Sequence, residues 1–255
     1  MKMNSILELF FGAILGTVFS IFTTIWIEVQ RKPKLSLKIA TPHDNEYDER
    51  HPAQKARFLG ILVENHALSR GLRWLSRNAA IQSTAQITFY HLDGQKVFSN
   101  SMSGRWSGSP EPVSPVNISG ERVYFENVIL SFDLSAASTL KKDIYPGGEE
   151  KIDIAARFDQ DEDCFGWNNE GYFSEPKWRN PKWKLQSGRY LVLVEVSTSG
   201  EKTRGLFRLS NDVSINDFRL EEAKPQDFSS IIGEPKLSVG IEGLGIEAGI
   251  GLKLK

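Results

Sequence analysis

Three patterns of apolar and polar positions divide the chain. Leu9 to Ile27 reads LFFGAILGTVFSIFTTIWI without a charged side chain, and Arg31, Lys32 and Lys34 follow directly. At about 1.5 Å per residue such a run spans a hydrocarbon core of roughly 30 Å as a helix that satisfies its own backbone hydrogen bonds. From residue 34 onward the pattern changes to short strand-like runs: Leu35 to Ala40, Arg57 to Asn65, Ala85 to His91, Lys96 to Ser99, Val123 to Phe132, Ile152 to Phe158, Arg189 to Ser197 and Thr203 to Ser210. Turn chemistry separates them: Asp93-Gly94 and Ser199-Gly200 predict tight hairpins, and Pro146-Gly147-Gly148 punctuates the approach to another strand. In Ile152, Ile154, Ala156 and Phe158 the alternation predicts core-facing positions, with Asp153 and Arg157 turned to solvent. The last pattern is a glycine-rich tail in which apolar residues alternate at odd positions up to Ile241 and at even positions from Leu244, so that a bulge or hairpin at Gly243 would restore one apolar face.

These patterns give a transmembrane anchor at 1–30, a β domain at 34–220, a linker at 221–236 and a glycine-rich β-type tail at 237–255, suited to pairing with the domain's edge, with the same tail of another copy or with a partner, the alternative being a tail ordered only in a complex. A cleaved signal peptide is the competing reading of the first segment. Its apolar core would span only about 7 to 15 residues and end in an Ala-x-Ala-like site. Trp26-Ile27-Glu28-Val29-Gln30 has no such site, and Trp26 sits where an interfacial aromatic belongs. The bilayer contact is assigned to residues 6–29. The cations after the span outnumber Lys2 before it, so the positive-inside rule places the large domain in the cytoplasm, at an inner or plasma membrane. Within the span Gly12, Gly16, Ser20 and Thr24 recur every fourth residue, a small-residue stripe that favours helix self-association and a homo-oligomer. Asn117-Ile118-Ser119 is a glycosylation sequon, relevant only if the domain faces outward.

The run Leu185-Gln186-Ser187-Gly188-Arg189-Tyr190, leading into Val192, Val194 and Val196, resembles the turn and tyrosine corner that open a late strand of immunoglobulin-like domains. The resemblance implies an all-β fold, an immunoglobulin-like antiparallel β-sandwich behind a single N-terminal transmembrane helix, with the Tyr190 hydroxyl tying down the preceding corner. Val192 stands where antibody-type domains place their second cysteine, so the disulfide does not carry over. Cys164 is the single cysteine. The similarity covers one strand and its turn, and a superfold does not carry a function.

A net charge of −1 gives no global field and no electrostatic support for nucleic-acid binding. Arg70, Arg73 and Arg77 form a local basic cluster, read as a solvated face. Asp159, Asp161 and Asp163 with Glu170 sit at the spacing of a calcium loop, although Cys164 occupies the place of its invariant glycine and the flanks are not helical. Trp167, Tyr172, Trp178 and Trp183 interleave with Lys177, Arg179, Lys182 and Lys184 in a long loop, where rings beside cations suit a small anionic ligand, a base or a lipid headgroup as well as simple packing. Arg105 and Trp106, in a turn-rich segment from Gly104 to Pro112, form a second such pair, with Trp106 also suited to plugging one end of the fold. The histidines lack metal-ligand spacing, and neither a nucleophile elbow nor a phosphate-binding loop is present. The expectation is therefore a membrane-anchored interaction or sensing module without cofactor or enzymatic activity, whose partner is an unidentified protein or small molecule. The alternative is an effector that clusters through its transmembrane helix on binding a small anionic ligand.

Overall fold

A computed structural model of the chain describes residues 3–46, 55–72, 74–110, 113–118, 121–126, 140–174, 176, 178–212 and 214–232. Arg73, Lys177, Ser119, residues 127–132 of one expected strand and the tail at 237–255 lie outside them.

Helix α1 (Met3–Arg31) contains the apolar run. Its stretch Phe10–Arg31 has a mean hydropathy of 1.9 and is not buried against the rest of the chain. Among the described residues it is the one helix long and apolar enough to cross a membrane. The remainder is mostly strand: β1 (Leu35–Ile39), β2 (His43–Glu46), β3 (Lys55–Asn65), β4 (Ala80–Tyr90), β5 (Met102–Ser103), β6 (Arg105–Trp106), β7 (Val113–Ile118), β8 (Glu121–Glu126), β9 (Lys142–Ile144), β10 (Glu149–Phe158), β11 (Cys164–Gly166), β12 (Lys184–Leu185), β13 (Gly188–Ser197), β14 (Lys202–Asn211) and β15 (Arg219–Glu222). The first antiparallel sheet runs β1-β3-β10-β11-β12, with β2 on β3 and β6 on β10. The second runs β15-β14-β13-β4-β5, with β9 beside β4, and β7 pairs with β8 separately.

One apolar core joins the two sheets. Leu59, Ile61 and Val63 of β3 and Ile152 and Ile154 of β10 pack in a single cluster with Ile87 and Phe89 of β4 and with Val192, Val194 and Val196 of β13. The chain crosses between sheets at Gly104: Ser103 pairs with β4, Arg105 pairs with β10, and a Cβ on the residue between them would lie 2.7 Å from the Ala85 Cβ. Both expected turns form, although after the first only Lys96 bridges back to Tyr90 and the strand expected from Lys96 to Ser99 is not made. In the first, Gly94 N–H donates to the His91 carbonyl, and in the second, Thr198 N–H donates to the Glu201 carbonyl.

Two expectations are corrected. The alternation in β10 breaks at a bulge between Asp153 and Ala155, and a bulge exchanges the two faces of a strand. Ile152 and Ile154 therefore enter the main core, whereas Ala156 and Phe158 join a second cluster with Phe58, Phe165 and Trp167. Asp153 and Arg157 are both buried, not solvated. Arg157 is held by the Asn211 side chain at 3.0 Å and by the carbonyls of Asp161 and Asp212. The second correction concerns residues 221–232, which are not a bare linker. Glu221 and Glu222 complete β15, and helix α2 (Pro225–Ile232) is fastened to β14 by a two-pronged Arg208–Asp227 ion pair at 2.6 Å.

The helix meets the domain without a spacer. Asn78 N–H donates to the Arg31 carbonyl at 2.7 Å, and the Arg77 guanidinium donates to the Lys32 carbonyl at 2.7 Å. Asn65, at the end of β3 and fully buried, knits this joint. Its side chain accepts from Lys34 N–H and donates to the carbonyls of Asn78 and Ile144. Its backbone bonds Gly147 and Gly148. Gly147 has φ +77°, a left-handed turn position that suits glycine.

Candidate functional site

The loop between β11 and β12 folds over the outer face of the first sheet through two short 3-10 turns. Asn168 caps the first by accepting from Glu170 N–H, and Asn180 caps the second by accepting from Lys182 N–H, with Pro181 at the opening position. Glu170 ties the turns together, accepting from the Trp183 indole at 2.9 Å, from Lys182 at 3.0 Å and from Asn180 at 3.3 Å. Burial opposes its charge, yet these donors hold the carboxyl below its ordinary value.

Beneath the loop, aromatic rings meet edge to face or tilted. Trp167 lies 5.2 Å from Phe58, 5.1 Å from Tyr172 and 5.6 Å from Trp178, centroid to centroid. Trp178 takes φ +67°, a left-handed backbone uncommon for a bulky residue, and its ring packs on the others. The Arg105 guanidinium sits 5.3 Å from the centre of the Tyr172 ring. Trp167, Tyr172, Trp178 and Arg105 are thus brought together. Arg179 instead lies over Phe158 at 4.1 Å and pairs with Asp161 at 2.6 Å. Trp183 points into the main core, 5.1 Å from Phe98. Trp106 is a core residue of β6, its indole donating to the Leu140 carbonyl at 3.2 Å.

Beside Arg105, three residues whose spacing in the sequence does not mark them as a site, Asp153, Lys151 and His43, gather next to the rings. Asp153 is buried opposite Arg105 in the ladder and accepts from the Ser107 hydroxyl at 2.6 Å. Burial raises its carboxyl above the ordinary value, against the Ser107 bond and the charges of Lys151 and Arg105. The Lys151 ammonium lies 2.8 Å from His43 Nδ1 and is lowered by burial. His43 stacks on Phe58 at 5.2 Å and is lowered by burial and then by the Lys151 charge. The guanidinium of Arg105 donates to the Ser109 carbonyl at 2.7 Å, and its Nε is buried without a hydrogen-bond partner among the described residues. Chemically the arrangement is a half-buried polar nest against an aromatic wall. Perturbed titrations of this kind gather at functional sites and also in structural networks. The sequence signal was faint, because these residues come from β2, β6 and β10 and meet only through strand pairing.

The calcium-loop spacing does not converge. Residues 159–163 link β10 to β11, with Arg157 opposite Cys164, so the chain leaves the acidic turn as a strand. Asp159 accepts from Lys55 N–H, Asp161 pairs with Arg179, Asp163 pairs with Lys184 at 2.7 Å, and Glu170 is held as described. Among the described residues no group of three or more His, Cys, Asp or Glu could hold a metal ion. A shallow cleft of about 480 Å³ beside this turn is lined by Asp161, Asp163, Phe165, Arg179 and Lys184, so its cations already face carboxylates. Gly12 and Gly16 of α1 have open space around them, with nothing within 4 Å of an added Cβ. No protein-family model and no curated protein matches the chain.

Proposed function

We propose that the chain is a single-pass membrane protein presenting an immunoglobulin-like β-sandwich, on the cytoplasmic side, as an interaction or sensing module that self-associates through Gly12, Gly16 and Ser20. The observation that carries this reading is the joint: an apolar helix of spanning length runs into β1 with no flexible spacer, and buried Asn65 locks it to three separate segments. A domain held this way passes any change in its own packing to the helix.

The sandwich reading is supported by pairing. β1, β3 and β10 adjoin in one sheet while β4, β13 and β14 adjoin in the other, each sheet joining early strands to late ones as the A-B-E and C-F-G strands of the superfold do. The Tyr190 hydroxyl donates to the Gln186 carbonyl at 2.9 Å, the contact expected of a tyrosine corner. The rival reading, clustering driven by a small anionic ligand at the aromatic loop, has less support, because Arg179 and Lys184 already face Asp161 and Asp163. Among the described residues Ser107 bonds Asp153 directly and His43 sits with Lys151 and Phe58, an arrangement that favours a binding role over a catalytic one.

Membrane fractionation of the full chain tests the proposal. Retention in the pellet through alkaline carbonate extraction, with cross-linked dimers that Gly12→Ile and Gly16→Ile abolish, is the expected result. Release into the alkaline supernatant would overturn the anchor.

A further inference from the structure

Five large apolar side chains of the domain are exposed among the described residues: Trp74, Ile81, Leu92, Tyr145 and Phe173. Three of them lie on the segments that fasten the domain to α1. Trp74, 69% exposed, is carried by the loop from His66 to Asn78. That loop starts with His66 N–H on the Lys34 carbonyl and ends with Asn78 N–H on the Arg31 carbonyl, so both ends rest on the helix exit. Ile81 lines a cavity shared with Lys32, Pro33 and Asn78. Tyr145, 68% exposed, opens the turn whose Gly147 N–H donates to the Asn65 carbonyl, and it follows Ile144, whose carbonyl takes the Asn65 amide.

The charge of the same region is one-sided. Residues 28–34 and 66–82 contain Arg31, Lys32, Lys34, Arg70, Arg73 and Arg77 against the single acid Glu28; the turn at Tyr145 adds Lys141 and Lys142 with Asp143 and Glu149, and the cavity that Ile81 lines adds Glu201, so cations still exceed acids there, in a chain whose Lys and Arg total 31 against 32 Asp and Glu. Large aromatic and aliphatic side chains among cations, at the end of a span, are the composition of a membrane interface: rings settle at headgroup level and cations meet acidic lipid.

We propose that this end of the domain is a lipid-contacting face, in which Trp74, Ile81 and Tyr145 enter the interfacial layer and the cations around the helix exit bind the acidic headgroups of the bilayer that α1 crosses. The basic cluster at Arg70 to Arg77 is then a membrane contact and not merely a solvated face. This inference rests on the anchor reading. What marks the bilayer as the occupant is continuity: Trp74 and Ile81 lie on segments bonded to, or sharing a cavity with, residues 31–34, immediately past the span, and Tyr145 reaches them through Asn65, which bonds both Ile144 and Lys34.

The test uses the full chain with Cys164→Ala, reconstituted in phosphatidylcholine vesicles with and without phosphatidylglycerol. An environment-sensitive fluorophore is placed singly at Ser20→Cys in the span, at exposed Ser76→Cys beside Trp74, or at exposed Gln160→Cys beyond the opposite end of β10. Headgroup-nitroxide lipid should quench the Ser76 label several-fold more than the Gln160 label when phosphatidylglycerol is present. That excess should fall with Arg70→Glu, and at about 1 M salt, where the screening length shrinks to about 3 Å. A Ser20 label unquenched by acyl-chain nitroxides would sink the anchor reading itself. A quenched Ser20 label with equal quenching at Ser76 and Gln160 would overturn the surface proposal alone. Two further results would also overturn it: Ser76 quenching indifferent to phosphatidylglycerol, and quenching that tracks protein density, which would assign the face to a second copy.

Discussion

Replacing Asn65 by Ala removes the side chain that joins helix, loop and both sheets, and the structure sets the size of the effect. Three hydrogen bonds vanish: Lys34 N–H to Oδ1 at 3.2 Å, Nδ2 to the Asn78 carbonyl at 3.2 Å and Nδ2 to the Ile144 carbonyl at 3.0 Å. The Ile144 bond is buried, so its carbonyl loses its donor where water does not reach, at about 1–3 kcal/mol. The other two bonds are partly buried, and water replaces part of each, leaving roughly 0.5 kcal/mol apiece. The total is about 3 kcal/mol, on the order of a hundredfold in the folding equilibrium. The backbone bonds of residue 65 to Gly147 and Gly148 do not depend on the side chain, so the register of β3 should survive. Urea unfolding of the full chain in mild detergent, followed by tryptophan fluorescence, should show the midpoint falling by about 1–3 M, given slopes of about 1–3 kcal/mol per molar. Hydrogen exchange should localise the loss, with amides of Lys34 and Asn78 opening far more than those of β13 and β14. A midpoint within about 0.3 M of the parent, or exchange raised uniformly, would refute the idea that Asn65 makes the joint rigid.

Tyr190→Phe deletes only the bond to the Gln186 carbonyl and should cost about 1 kcal/mol in the same unfolding assay, with near-ultraviolet circular dichroism unchanged. Asp153→Asn keeps an acceptor for Ser107 and removes a buried charge. Because burial raises the folded-state carboxyl above its ordinary 3.8, the contribution of Asp153 is most favourable below that value and declines as pH rises through the folded value. The variant should therefore gain in melting temperature, relative to the parent, more at pH 7 than at pH 4; equal offsets at the two pH values would contradict the assignment. For Asp227 the sign reverses, since its hydrogen bonds with Arg208 lower the carboxyl. The stability it gives α2 is present above 3.8 and lost as pH falls through the lower folded value, so Asp227→Asn should raise exchange in residues 225–232 at neutral pH and abolish that pH dependence.

The elements that sequence alone revealed are those whose physics is local. Nineteen uncharged positions from Leu9 to Ile27 specify an apolar helix whatever surrounds them, and Asp93-Gly94 and Ser199-Gly200 specify tight turns by backbone preference. Tyr190 was legible for the same reason, because its hydroxyl bonds a carbonyl only four residues upstream. What stayed hidden depends on strand register. One extra residue near Ile154 turns Phe158 away from the main core and Arg157 into the interior, and period-two alternation has no way to announce where that residue is inserted. The aromatic loop was legible as a composition, yet Trp183 separates from Trp167 and Tyr172 because Glu170 grips its indole and turns it inward. The carboxylates of the acidic run do not gather among the described residues for the complementary reason: spacing places them along the chain, but Asp161 and Asp163 take their cations from 18 and 21 positions further on, Arg179 and Lys184. Those ion pairs form only because β11 and β12 return the chain beside the turn, so the same pairing that builds the sheet disarms the motif and leaves the polar residues around Asp153, Lys151 and His43, brought together by β2, β6 and β10, as the group that only the folded chain assembles.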